Sequence, residues 1–167
     1  KVVAKLKEIK AYLQTKGTPE QALIKQAKLA VALDDFIASH ELNGTAIQCW
    51  TSMEENYGIV PCTVMSMLSN KLVPSACEAD ITGLVGMYAM VLAAGQPAAL
   101  LDWNNNFGDD PDKAVVFHCS NQPQVLFGNK GKMDYQAIIA GSVGKENTYG
   151  TIVGRLQPTT VTYCRVS

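Results

Sequence analysis

The sequence contains no CxxC pair, no block of basic residues and no long apolar run. The first absence, with five widely spaced cysteines (Cys49, Cys62, Cys77, Cys119 and Cys164), argues against a zinc ribbon or a disulfide framework. Such cysteine usage fits a reducing, cytoplasmic setting. A formal net charge of -1 without a basic cluster removes the electrostatic footprint of a nucleic-acid or anionic-membrane partner. No apolar stretch reaches the roughly 18 to 20 residues that a membrane span requires. The opening KVVAKLKEIK has the pattern of an amphipathic helix rather than of a signal peptide.

What is present is a folded composition: 167 residues, 47% hydrophobic and 17% charged, enough for one ordinary domain or parts of two. The chain begins on Lys1 in mid-helix rather than on methionine, and stops at Ser167 directly after TTVTYCRVS. Both ends lead to the expectation of a fragment of a longer protein.

Val2, Val3, Leu6, Ile9 and Leu13 recur at helical spacing over residues 2 to 15. Thr18-Pro19-Glu20-Gln21 then reads as a helix start, with Thr18 as cap and Gln21 closing a capping box, for a helix running to Ser39. TAIQCW (45 to 50) predicts a short buried strand and TSMEENYG a polar loop. A helix is expected from about Val60 to Ser69, and LVPSAC as a second strand. Ile81 to Ala94 is helical, with Asp80 as its cap, Gly95 as its stop and Pro97 beyond. AALLDW (98 to 103) predicts a third strand. This alternation points to a parallel α/β sheet.

Beyond Asp102 the character changes. NNNFGDDPDK reads as a loop, AVVFHC as a strand, and further strand-like runs fall near 135 to 140, 149 to 156 and 159 to 166, punctuated by Gly and Pro. The expected fold is therefore α/β: a parallel, Rossmann-like half over residues 1–100, followed over 101–167 by the beginning of an antiparallel β-barrel-like domain.

In a parallel α/β sheet, ligands bind outside the carboxyl ends of the strands. Three strand ends carry Trp50, Glu78 and Asp102, and His118 closes AVVFH. In VPSACEADITG two acids stand where a strand meets a helix; Asp80 lies directly before Ile81 and suits the cap, which leaves Glu78 without a structural task. Asp102 lies within an apolar run, where a buried carboxylate needs a partner. Two carboxylates and an imidazole suit a divalent ion such as Mn²⁺ with positions left open for substrate. GLVG (83 to 86) sits inside a helix and is no dinucleotide fingerprint, while DDPD (109 to 112) reads as a solvated turn and His40 as a surface residue. Cys77 and Cys119 flank Glu78 and His118, but thiol catalysis needs a partner base that the sequence does not place.

The run from IQCW through YGIVPCTVMSMLSNKLVPSACEADITG and LLDW to VVFHCSN, residues 45 to 121, resembles the C-terminal part of the L-fucose isomerase-like family, which includes L-fucose and L-arabinose isomerases. A weaker match continues through TYGTIVGRLQPTTVTYCRVS. The resemblance implies an Mn²⁺-dependent aldose–ketose isomerase working through a cis-enediol, with Glu78 and Asp102 each ligand and acid/base. It implies His118 as a ligand of the arabinose-isomerase type, and Trp50 and Trp103 lining a monosaccharide pocket. A further ligand histidine of the family, near its C-terminus, has no counterpart in this sequence. The resemblance also implies a homo-oligomer whose active sites form between subunits, so that the fragment alone is expected to be inactive. The alternative is a non-catalytic carbohydrate-binding or regulatory domain that keeps the isomerase scaffold.

Overall fold

A computed structural model of the chain describes residues 1–119 and 121–166. Ser120 of the FHCSN run and the terminal Ser167 lie outside the described residues. Two helices open the fold, α1 (Val2–Tyr12) and α2 (Glu20–Ser39). Ile9 of α1, Leu13 just after it, and Leu23 and Ala27 of α2 bury one face against Met67, Phe127, Met133 and Ile152. Each large side chain so buried contributes about 1.5 to 3 kcal/mol. The expected capping box is absent: Pro19 occupies the cap position, and the Thr18 hydroxyl donates instead to the Met133 carbonyl at 3.4 Å. A tertiary acceptor more than a hundred residues away has replaced the local one.

The centre of the fold is a two-stranded parallel sheet. Strand β1 (Thr45–Ile47) pairs with β2 (Ser75–Cys77) in the register Thr45↔Ser75, Ala46↔Ala76, Ile47↔Cys77. Parallel neighbours require a long crossover, made here by α3 (Ser52–Asn56) and α4 (Cys62–Asn70). The sequence predicts a loop where α3 forms. Every residue of α4 from Cys62 to Ser69 is buried, so its hydroxyls must be satisfied internally. Thr63 donates to the Gly150 carbonyl at 2.7 Å and Ser69 accepts the Ser75 N–H at 3.0 Å.

Helix α5 (Ile81–Ala94) follows with the expected bounds. The Asp80 carboxylate accepts the Gly83 N–H at 2.7 Å, and Gly95 closes the helix in the left-handed region, φ +62°, where only glycine is free of a Cβ penalty.

The expected third parallel strand does not form. Residues 98–101 are outside any strand, and Asp102 instead starts β3 (Asp102–Phe107), which pairs antiparallel with β4 (Asp110–Phe117). Gly108, φ +59°, is the first of two loop residues, a position that tight hairpins reserve for glycine. The Asn-rich segment expected to be a loop is thus a strand, exposed along its whole length.

A second antiparallel pair, β5 (Lys132–Tyr135) with β6 (Tyr149–Val153), carries Met133 and Ile152 into the main core. Between them, residues 137–143, partly expected as strand, form the short helix α6 (Ala137–Val143). Residues 159–166 form no strand; Cys164 Sγ lies 3.8 Å from the Gly86 carbonyl of α5. The architecture is α/β, with one short parallel sheet, two small antiparallel sheets and no closed barrel among the described residues. No helix among them is long and apolar enough to cross a membrane.

Candidate functional site

The carboxyl ends of three segments meet in one place. TAIQC, VPSAC and VVFHC each end in cysteine. Cys49 Sγ stands 2.8 Å from Cys77 Sγ, which stands 3.9 Å from Cys119 Sγ. All three are buried, with Met65 packed among them and Ile47 and Trp50 against them. The third member of this convergence is the end of β4 rather than the expected AALLDW strand. Three hydrogen bonds hold it there. Asn121 Nδ2 donates to the Ser75 carbonyl at 3.0 Å. Thr151 Oγ1 donates to the Cys119 carbonyl at 2.8 Å, and Gln136 Nε2 donates to the same oxygen.

Glu78 follows β2 directly and is exposed. It has φ +58° and Ala79 has φ +55°, two successive non-glycine residues in the left-handed region at roughly 1 kcal/mol each. The turn is fixed by the Ala79 N–H donating to the Ile47 carbonyl at 3.1 Å and the Asp80 N–H to the Cys77 carbonyl at 3.0 Å. Partial burial pushes the Glu78 carboxyl above its usual range, the charges of Cys119, Asp102 and Asp80 push the same way, and His118 opposes them.

Asp102 is exposed rather than buried, and the register Asp102↔Phe117 sets it beside the strand end that carries His118. His118 is 7% exposed, with Nδ1 3.6 Å from Cys119 Sγ. Burial works against its protonation, but contact with the Cys119 thiol and the charges of Cys119, Asp102 and Glu78 outweigh it and raise its pKa. Cys119 is held well below the usual thiol range by hydrogen bonds from Cys62 and Cys77. Glu78, Asp102 and His118 therefore share one electrostatic neighbourhood.

Two oxygen donors and an imidazole are of the right chemical kind for a divalent cation, and the repulsion between Glu78 and Asp102 is what such a charge would relieve. The three are not drawn to a point, however. Among the described residues, the group whose donor atoms all lie within 4.8 Å of one another is Cys77, His118 and Cys119.

The two tryptophans are separated in character. Trp50 is half-buried against the thiol cluster and against Val60, Cys62 and Ile139. Trp103 is 69% exposed on β3 and meets Tyr163 edge-on at 5.9 Å. A cavity of ≈ 440 Å³ opens between β4 and the β5–β6 pair, with His118, Cys119 and Gln136 in its wall; Glu78 and Asp102 do not line it.

Glu54 of α3 was hidden in the segment read as a loop. It is 0% exposed, and neither carboxylate oxygen has a hydrogen-bond partner. Burial pushes its pKa up, and the Cys119 charge adds to the effect. Part of a signal for the thiol cluster is present in the sequence: three strand-like runs end in the same residue, and two of them, ending in Cys49 and Cys77, follow neighbouring parallel strands.

No family model matches the chain. Over 100 residues, 60% of this chain and 22% of the relative, it is 26% identical to the sulfoquinovose isomerase of Priestia aryabhattai. It is 31% identical over 81 residues to that of Clostridium sp. (strain MSTE9), covering 48% of this chain and 18% of the relative. It is also 31% identical over 94 residues to that of Alkalicoccus urumqiensis, covering 56% and 21%. The chain spans about a fifth of the length of these curated relatives. The similarity supports an isomerase family and does not single out L-fucose isomerases.

Proposed function

We propose that the chain is the part of an aldose–ketose isomerase that bears its acid pair, Glu78 and Asp102. The observation that carries this reading is that the ends of β2 and β4, which bear Glu78 and His118, meet at the 3.9 Å contact of Cys77 with Cys119, and the register Asp102↔Phe117 sets Asp102 beside His118. The names of its relatives support the same class, and a sulfonated aldose such as sulfoquinovose joins L-fucose and L-arabinose among the substrates to test.

Aldose–ketose exchange needs a group that removes a proton from one carbon and returns it to the next. A carboxyl shifted toward neutrality suits that task, and Glu78 is so shifted. Asp102 stands beside the strand end that carries His118. His118, Glu78 and Asp102 would hold a divalent cation, Mn²⁺ in this reading, which when bound polarises a carbonyl. Trp50 and Trp103 would border the sugar. Residues 1–100 then end the α/β domain and 101–167 begin a β-rich one, in a homo-oligomer.

In the whole protein with Mn²⁺, replacing Glu78 with Gln should lower aldose-to-ketose turnover by roughly 10² to 10⁴-fold, measured by ketose formation. Turnover equal to that of the wild type would remove Glu78 from the chemistry.

A further inference from the structure

We propose that Cys77, Cys119 and His118 form a binding site for a thiophilic divalent cation, Zn²⁺ or its softer analogue Cd²⁺. Two of the separations match the edges of a tetrahedral site. Zn–S bonds of about 2.3 Å and Zn–N bonds of about 2.0 to 2.1 Å give tetrahedron edges of roughly 3.8 Å for S···S and roughly 3.6 Å for S···N. The corresponding separations are 3.9 Å for Cys77 Sγ to Cys119 Sγ and 3.6 Å for Cys119 Sγ to His118 Nδ1.

The donors come from two segments, the end of β2 and the end of β4, and are all buried; Cys77 is held by the β1–β2 ladder, and His118–Cys119 by the bonds from Thr151 and Gln136 to the Cys119 carbonyl. Cys49 Sγ, at 2.8 Å from Cys77 Sγ, is closer than the roughly 3.5 to 4.0 Å at which unbonded heavy atoms rest. A Cys49–Cys77 disulfide would account for that one contact but not for the imidazole and the third thiol, whose donor atoms lie within 4.8 Å of Cys77 Sγ and of each other. Sulfur and imidazole donors select zinc-like ions over Mn²⁺, so this site is chemically distinct from the carboxylate pair. It would bind His118 through Nδ1, the ring nitrogen 3.6 Å from Cys119 Sγ.

The test is a titration of the metal-stripped protein with Cd²⁺ under a phosphine reductant, which keeps the thiols reduced. The expected result is a thiolate-to-cadmium charge-transfer band in the ultraviolet that saturates at one equivalent. Cys77→Ser and Cys119→Ser should each weaken binding by roughly 10-fold or more, whereas Cys164→Ser, on the exposed segment against α5, should leave it unchanged. No band in the reduced wild-type protein overturns the proposal, whatever the variants do. A band that survives loss of Cys77 and Cys119, or that depends on Cys164, overturns it too. No sugar and no turnover enter the readout, so the result stands apart from the isomerase reading.

Discussion

The β1–β2 pair and the β3–β4 hairpin both deliver candidate site residues, yet one is wrapped by helices and the other is exposed on both faces. Ser75, Ala76 and Cys77 of β2 are each 0% exposed. Along β3 every residue from Asp102 to Phe107 is exposed, and on β4 Val116 and Phe117 are 52% and 45% exposed. Glu78 and Cys77 thus inherit positions fixed by dense packing. Asp102 inherits its position from a ladder that buries little on either side. The difference teaches that the two halves of the proposed acid pair rest on scaffolds of unequal rigidity.

Breaking the buried scaffold should have the largest effect on stability. Met65 is 0% exposed among the three thiols, and Met65→Ala should cost about 2 to 5 kcal/mol, read as the shift in a denaturant midpoint. Smaller, but diagnostic, is Asp80→Ala, which removes the α5 cap and should cost about 1 kcal/mol. The Gly83 N–H and the Thr82 hydroxyl hold Asp80 below the ordinary carboxylate range. Its contribution is therefore complete above the unfolded value near pH 4 and is lost as pH falls through the folded one. The gap between wild type and Asp80→Ala should accordingly close in acid.

Glu54 should show the opposite sign. Its pKa is raised on folding, so stability falls as pH rises from about 4.5 toward that higher value. Glu54→Gln should flatten this part of the pH–stability curve; an unchanged slope would mean that Glu54 does not titrate there. The smallest effect belongs to the hairpin. Val116→Ala should change stability by no more than about 0.5 kcal/mol, and a loss of 2 kcal/mol or more would dissolve the contrast between the two regions.

What the sequence made legible follows the same division. Helix α5 could be read to its bounds because its signals are local: Asp80 at one end, Gly95 at the other. Glu78, Asp102 and His118 could be singled out because each stands where an apolar run stops. The hairpin could not be read, since a strand exposed on both faces has no alternation to display, and NNNFGDD has the composition of a loop. Helix α6 was hidden because AIIAGSV is short and β-branched. Thr18 misled because its partner is the Met133 carbonyl, a contact that no local spacing encodes.

The left-handed backbone at Glu78 and Ala79 carries a consequence for any effort to make this protein hardier. Glycine is the residue that such a backbone favours, so the exchange that most relaxes the chain at position 78 also deletes its carboxylate. On the proposed role of Glu78, selection for heat tolerance and selection for turnover would pull in opposite directions at that one codon. At Ala79, one residue on, the same exchange relieves the chain and leaves the acid in place.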